Sequence, residues 1–166
     1  QYAGEVALVY GDQRLTYAEL DEASNKVANA LLKMGLDKGD RVAMLLTNNL
    51  EFVVLFWGIV KIGATAVPLD TKYKLDELAT LLSHCEPKLL VAESPFFETL
   101  APVISRFKSI KHVITLSAES RGRFLTYAEV MASGSAQGVE LELGAEDVAA
   151  ILYTSGPTSR PRGAML

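Results

Sequence analysis

The chain is poor in several things, and each shortage closes off a class of explanation. It has one cysteine, Cys85, so no internal disulfide can form and the cytoplasm is the expected compartment. Sixteen Lys and Arg against 20 Asp and Glu leave a formal net charge of -4, so no overall positive field draws nucleic acid or anionic lipid. Arg121 and Arg123 stand close together, but two cations of this kind read as a solvated turn. The longest charge-free apolar run, Phe52 to Val60, is far short of the ~20 residues a bilayer span needs, so no transmembrane segment is expected. Neither an initiator methionine nor a charged-then-apolar leader is present, and a chain cut at both ends is expected. No paired carboxylates and no His/Cys cluster with metal-ligand spacing stand out among the 166 residues, so no metal ligand is assigned.

What is present suits a folded α/β chain. The composition is 49% hydrophobic and 22% charged, enough apolar material for a real core, and the length fits one domain or a piece of a larger one. Val6–Tyr10, a Gly11-Asp12 turn and Gln13–Leu15 predict a hairpin. Thr16 with Glu19 forms a capping box that starts a helix. The core stripe of that helix is Leu20, Ala23, Val27, Leu31 and Met34, with Glu22 and Lys26 paired on the wet side and Gly35 as a left-handed cap. Arg41–Thr47 is apolar almost throughout, as a strand covered on both faces is. Asn48-Asn49 opens a second helix, Leu50–Ile62, with almost no polar face; it is expected to be largely buried, Trp57 included.

Ala64–Pro68 predicts a short strand before a solvated loop holding Asp70, Lys72 and Lys74. Leu75, Leu78, Leu82 and Cys85 make a further helical stripe, stopped by Pro87. Strands follow at Lys88–Ala92 and His112–Leu116, with a helix from Ser94-Pro95 that Pro102 kinks or restarts. A short helix begins in Leu125–Glu129, and Val148–Tyr153 suits a buried strand. Strands alternating with helices in this order predict an α/β fold, a mostly parallel sheet with helices on both faces. The peptide Leu-Thr-Tyr-Ala-Glu occurs from Leu15 and from Leu125, but the flanks do not match; both are read as the same way of starting a helix, reached separately. His84 and Cys85 are neighbours on a helix and so point about 100° apart, one packing and the other solvated. His112, at a strand start, is expected to be structural.

The segment after that last strand carries the chemistry. Tyr153-Thr-Ser-Gly-Pro-Thr-Ser-Arg-Pro-Arg-Gly163 is rich in hydroxyls, glycines and cations, a composition suited to cradling phosphate oxygens. It is not a Walker loop, since Pro161 stands where the second glycine belongs and no Lys-Ser/Thr pair follows, and no Gly-x-Gly-x-x-Gly fingerprint occurs. The segment resembles the phosphate-loop motif of the adenylate-forming (AMP-binding) enzymes, Tyr-Thr-Ser-Gly-Thr-Thr-Gly-x-Pro-Lys-Gly. Leu15–Leu20 is similar to that family's first helix entry, and Val60–Asp70 to its Lys-x-Gly-Ala-x-x-x-Pro-Leu segment. Order and separation also fit, so the likeness spans nearly the whole chain, and Thr71–Glu77 looks more like an acyl-coenzyme A synthetase (a fatty-acid–CoA ligase) than a peptide-synthetase adenylation domain.

The resemblance implies that residues 1–166 are the N-terminal portion of the adenylation domain, with the rest of it and the C-terminal domain absent. Such enzymes activate a carboxylate with MgATP, releasing pyrophosphate, and pass the acyl group to a thiol such as coenzyme A. Attack at the α-phosphorus sheds a highly charged leaving group, and donors aimed at its oxygens lower that barrier. The resemblance makes Thr154, Ser155, Gly156, Thr158, Ser159 and Arg162 the nucleotide-binding residues. It places the adenine and acyl pockets, the Mg²⁺-associated glutamate and the acylation lysine beyond Leu166, so no catalytic residue is assigned here. Pro157, Ser159 and Arg162 depart from threonine, glycine and lysine in the motif, and predict a loop that grips triphosphate weakly. The expected partners are a fatty or other apolar carboxylate, ATP and CoA, with no nucleic acid, and exposed apolar surface predicts a homodimer. Two other functions fit the same residues: an amino-acid-activating domain of a peptide synthetase, and a non-catalytic stand-alone α/β binding module.

Overall fold

The computed structural model describes residues 2–117, 124–154 and 161–166. At its centre lies a five-stranded, all-parallel sheet in the order β4-β3-β5-β6-β7. These strands are β3 (Arg41–Leu45), β4 (Thr65–Pro68), β5 (Leu89–Ala92), β6 (His112–Thr115) and β7 (Leu125–Thr126). A hairpin of β1 (Val6–Tyr10) and β2 (Gln13–Thr16) precedes the sheet, and an antiparallel ribbon of β8 (Ile151–Thr154) and β9 (Arg162–Met165) follows it. The helices are α1 (Tyr17–Lys33), α2 (Leu50–Lys61), α3 (Leu75–Cys85), α4 (Ser94–Leu100) and α5 (Tyr127–Ser133), with a single 3₁₀ turn at Ile104–Arg106 after the break at Pro102.

Alternation along the strands divides the interior into two cores. Val42, Met44, Leu89, Val91, Ala66 and Ile114 face one side, where α1, α2 and α5 pack. Ala43, Leu45, Leu90, Ala92, Val67 and Val113 face the other, against α3 and α4. This is the expected α/β arrangement with helices on both faces. Period-two side-chain direction produces it from strands that are apolar at every position.

The two Leu-Thr-Tyr-Ala-Glu peptides share one local solution. Thr16 and Thr126 each accept from the backbone N–H three residues on, at 3.2 Å, while Glu19 and Glu129 reach back to the threonine N–H at 2.8 and 2.7 Å. The predicted pair Glu22–Lys26 forms at 2.7 Å, and Gly35 takes φ 80° just past α1. Asp70, Lys72 and Lys74 are exposed, as predicted for their loop.

Two expectations are corrected. Helix α2 is not largely buried: Trp57 is 46% exposed, and Phe52, Val53, Phe56 and Val60 are only half-buried. Its buried side, with Val54, Leu55, Gly58 and Ile59, is narrower than its apolar composition, because one helix face suffices to cover the sheet. Val148–Tyr153 is not a buried strand of the main sheet. It meets the edge of β4 through the parallel bridge Ala66–Ala150 and the Thr65 hydroxyl, and from Ile151 the chain pairs antiparallel with β9.

Candidate functional site

The ribbon places the two ends of the hydroxyl-rich segment side by side. Its register pairs Ile151 with Met165, Leu152 with Ala164, Tyr153 with Gly163 and Thr154 with Arg162. Side chains alternate along β8, so Ile151 and Tyr153 turn to the α3 side of the sheet while Leu152 and Thr154 take the open face. Directly paired residues share a face, which puts Thr154 and Arg162 together on the exposed side at the ribbon's mouth. Of the six residues expected to bind nucleotide, these two are thereby brought together. Ser155, Gly156, Thr158 and Ser159 lie outside the described residues, as do Pro157, Arg121 and Arg123.

On the inner face a glycine makes room for the Ile151 side chain. A Cβ at Gly163 would stand 2.5 Å from Ile151 Cγ2 and 3.5 Å from Tyr153 Cε1, so any larger residue displaces the Ile151 side chain. The Tyr153 ring then meets His84 edge-on, with centroids 5.7 Å apart and planes at 77°. Its hydroxyl shares a 2.7 Å hydrogen bond with His84 Nδ1. Burial pushes the Tyr153 hydroxyl up to about 12 and the neighbouring Cys85 thiol up to about 11, so both stay protonated at neutral pH. As expected for adjacent helical residues, Cys85 is buried and His84 exposed. No motif in the sequence links residues 84 and 153, and the apolar run Ile151-Leu-Tyr153 gives no sign of which side chain turns toward α3.

A second feature lies at the carboxyl edge of the sheet. Strand β3 has β4 on one side and β5 on the other, so the chain reverses direction across the sheet there, the place where open α/β sheets form a crevice. Glu93, just past β5, accepts from Thr47 N at 2.7 Å, the Thr47 hydroxyl at 2.6 Å and Asn49 Nδ2 at 2.9 Å. Asn49 also caps α2, accepting from Phe52 N at 2.8 Å. Tyr127 lines the same crevice, where burial and then the Glu51 carboxylate raise its hydroxyl to about 12. Among the described residues no group of three or more His, Cys, Asp or Glu is placed to hold a metal ion, and none of their helices is long and apolar enough to cross a membrane.

A parallel sheet sandwiched by helices, with its strand order reversing at β3, defines an open-sheet α/β protein. The chain belongs to the AMP-binding enzyme family, which matches residues 1–166. It is 35% identical over 158 residues to the long-chain-fatty-acid–CoA ligase FadD13 of Mycobacterium tuberculosis, covering 92% of this chain and 29% of that protein. It thus spans less than a third of the length of that ligase. Among solved structures it matches the anthranilate CoA ligase AuaEII in complex with anthranoyl-AMP, with TM-score 0.94, 26% identity, and coverage of 99% of this chain and 32% of that one. ATP-bound MatB from Rhodopseudomonas palustris matches with TM-score 0.78 and 36% identity, over 93% of this chain and 30% of that one. The family is one of enzymes, and relatives such as FadD13 and the crotonobetaine/carnitine–CoA ligase of Salmonella arizonae are CoA ligases.

Proposed function

We propose that this chain supplies one wall of the MgATP site of an AMP-forming acyl-CoA synthetase, and that its 166 residues alone do not carry out adenylation. The observation that carries this reading is the pairing of Thr154 and Arg162 on one exposed face at the ends of the 155–160 segment. A hydroxyl and a fixed cation a strand-width apart suit two oxygens of a triphosphate, and the guanidinium fork favours a bidentate grip. Similarity to ATP-bound MatB over 93% of the chain supports the nucleotide, and similarity to FadD13 supports a fatty or other apolar carboxylate with CoA as acceptor. Mg²⁺ would enter with the nucleotide, since the described residues offer it no cluster of ligands.

In this reading the chain positions the departing β- and γ-phosphates, and the residues that complete the reaction belong to a longer polypeptide of which it is the N-terminal portion. Calorimetry with MgATP is expected to give weak binding that Arg162→Ala lowers about tenfold, the size of one lost charge-assisted contact. Carboxylate-dependent pyrophosphate exchange is expected at background for any acid tested. Exchange above background, or ATP binding indifferent to Arg162, would overturn the reading.

A further inference from the structure

We propose that His84 is a positioning residue for the phosphate site, fixing the mouth of the β8–β9 ribbon through Tyr153. The inference rests on the reading of Thr154 and Arg162 as triphosphate contacts. The base of the ribbon is held by Ala66 N donating to Ala149 O at 3.0 Å and by the Thr65 hydroxyl donating to Val148 O at 3.0 Å. Those anchors end near Ala150, and Thr154 lies four residues further, roughly 13 Å at strand spacing. A strip of two strands hinged at one end swings most at the other. Between Ile151 and Thr154 the Tyr153 hydroxyl reaches the end of α3, sharing a 2.7 Å hydrogen bond with His84 Nδ1 and interacting with the buried Cys85 thiol, one residue before Thr154.

The anchor itself is held firmly. Helix α3 ends with Glu86 at φ 45°, and its last carbonyls are clamped from the central strand: Arg41 Nη2 donates to Glu86 O at 3.2 Å and Arg41 Nε to Cys85 O. Position therefore passes from β3 through Arg41 to the end of α3, on to His84 and Tyr153, and so to Thr154 and, across the pair, Arg162. The Tyr153 ring also meets His84 edge-on, so its orientation is set by the ring contact as well as by the hydrogen bond. His84 touches no nucleotide in this arrangement; it acts by holding Tyr153.

The test uses the 166-residue chain with His84→Ala, Tyr153→Phe and the double variant, read by amide hydrogen exchange and by MgATP calorimetry. His84→Ala is expected to speed exchange at Leu152–Thr154 and Arg162–Ala164 about two- to tenfold, the range of one neutral hydrogen bond, and to leave Val91 and Ile114 unchanged. Tyr153→Phe keeps the ring and is expected to give the same change, and the double variant no more than either single one. His84→Asn, which offers an amide to the same hydroxyl, is expected to recover part of the protection. MgATP affinity should fall by a similar factor in the His84→Ala and Tyr153→Phe chains. Unchanged ribbon exchange in His84→Ala, or additive effects in the double variant, overturns the proposal. A wild-type chain that binds no MgATP while His84→Ala still frees the ribbon would instead sink the nucleotide reading and leave the mechanical link standing.

Discussion

The body of the molecule and its closing ribbon are built by opposite means. Strands β3 and β5 are covered on both faces, and Val42 through Leu45 and Leu89 through Ala92 are all fully buried. Every residue of β9 is exposed, and Leu152, Met165 and Leu166 show 39%, 71% and 66% of their surface. The body is held by apolar burial, spread over many side chains and insensitive to any single polar contact. The ribbon is held by a few hydrogen bonds and by the packing of Ile151 and Tyr153 on the α3 side. The segment with the chemistry thus sits on the less supported part, as binding elements drawn from the low-stability end of a fold do.

That contrast can be broken by experiment, and the largest effect should come from the body. Leu90→Ala, in the middle of β5, is expected to cost about 3 kcal/mol in urea unfolding, for lost burial and the cavity left behind. A cost below about 1 kcal/mol would mean the sheet core is looser than its burial implies. Gly58→Ala comes next, at about 2 kcal/mol. Its new methyl would stand 2.5 Å from Val27 Cγ1 and 3.1 Å from Ser24 O, where α1 and α2 cross. Pairing it with Val27→Ala should recover little of the loss in a two-variant cycle, because the Val27 Cβ that alanine keeps stands 2.6 Å from the new methyl.

A smaller effect should come from Asp40, whose Oδ2 lies 2.6 Å from Lys88 Nζ. Partial burial pulls this carboxyl upward, but the Lys88 ammonium and the Asp37 N–H outweigh it and hold it below the ordinary aspartate value. Its contribution is therefore present above about pH 3.9 and lost as the pH falls through the lower folded value. Asp40→Asn should cost about 1 kcal/mol at pH 7 and flatten the acid limb of the stability curve; parallel limbs would show the pair to be idle. The smallest effect belongs to the ribbon: Leu152→Ala should change global stability by less than about 0.5 kcal/mol. A larger loss there would erase the distinction between the two regions.

Much of the body was legible because its signals are local. The capping boxes at Thr16 and Thr126 need residues only three apart, and the stripe Leu78-Leu82-Cys85 follows helical spacing within one segment. The ribbon was not legible as a ribbon, since β9 carries Arg162 and Gly163 and has no buried face to mark it as a strand. Trp57 misled for a related reason: an unbroken apolar sequence fixes which residues can be buried, not which side of the helix the sheet takes. The His84–Tyr153 contact joins positions 69 residues apart, and nothing in either neighbourhood encodes it. Glu86 escaped notice as well, because a left-handed residue that is not glycine has no sequence mark.

The strand order also bears on how the chain reaches this shape. Strand β3 comes first, β4 joins one flank, β5 the other, and β6 and β7 extend that second flank in turn. No newcomer has to wedge itself between partners already bonded, so a nascent polypeptide leaving the ribosome can add each strand to an open border as it emerges. The same outward growth leaves the outer border of β4 open until Ala150 arrives, after the other parallel pairings among the described residues have been made.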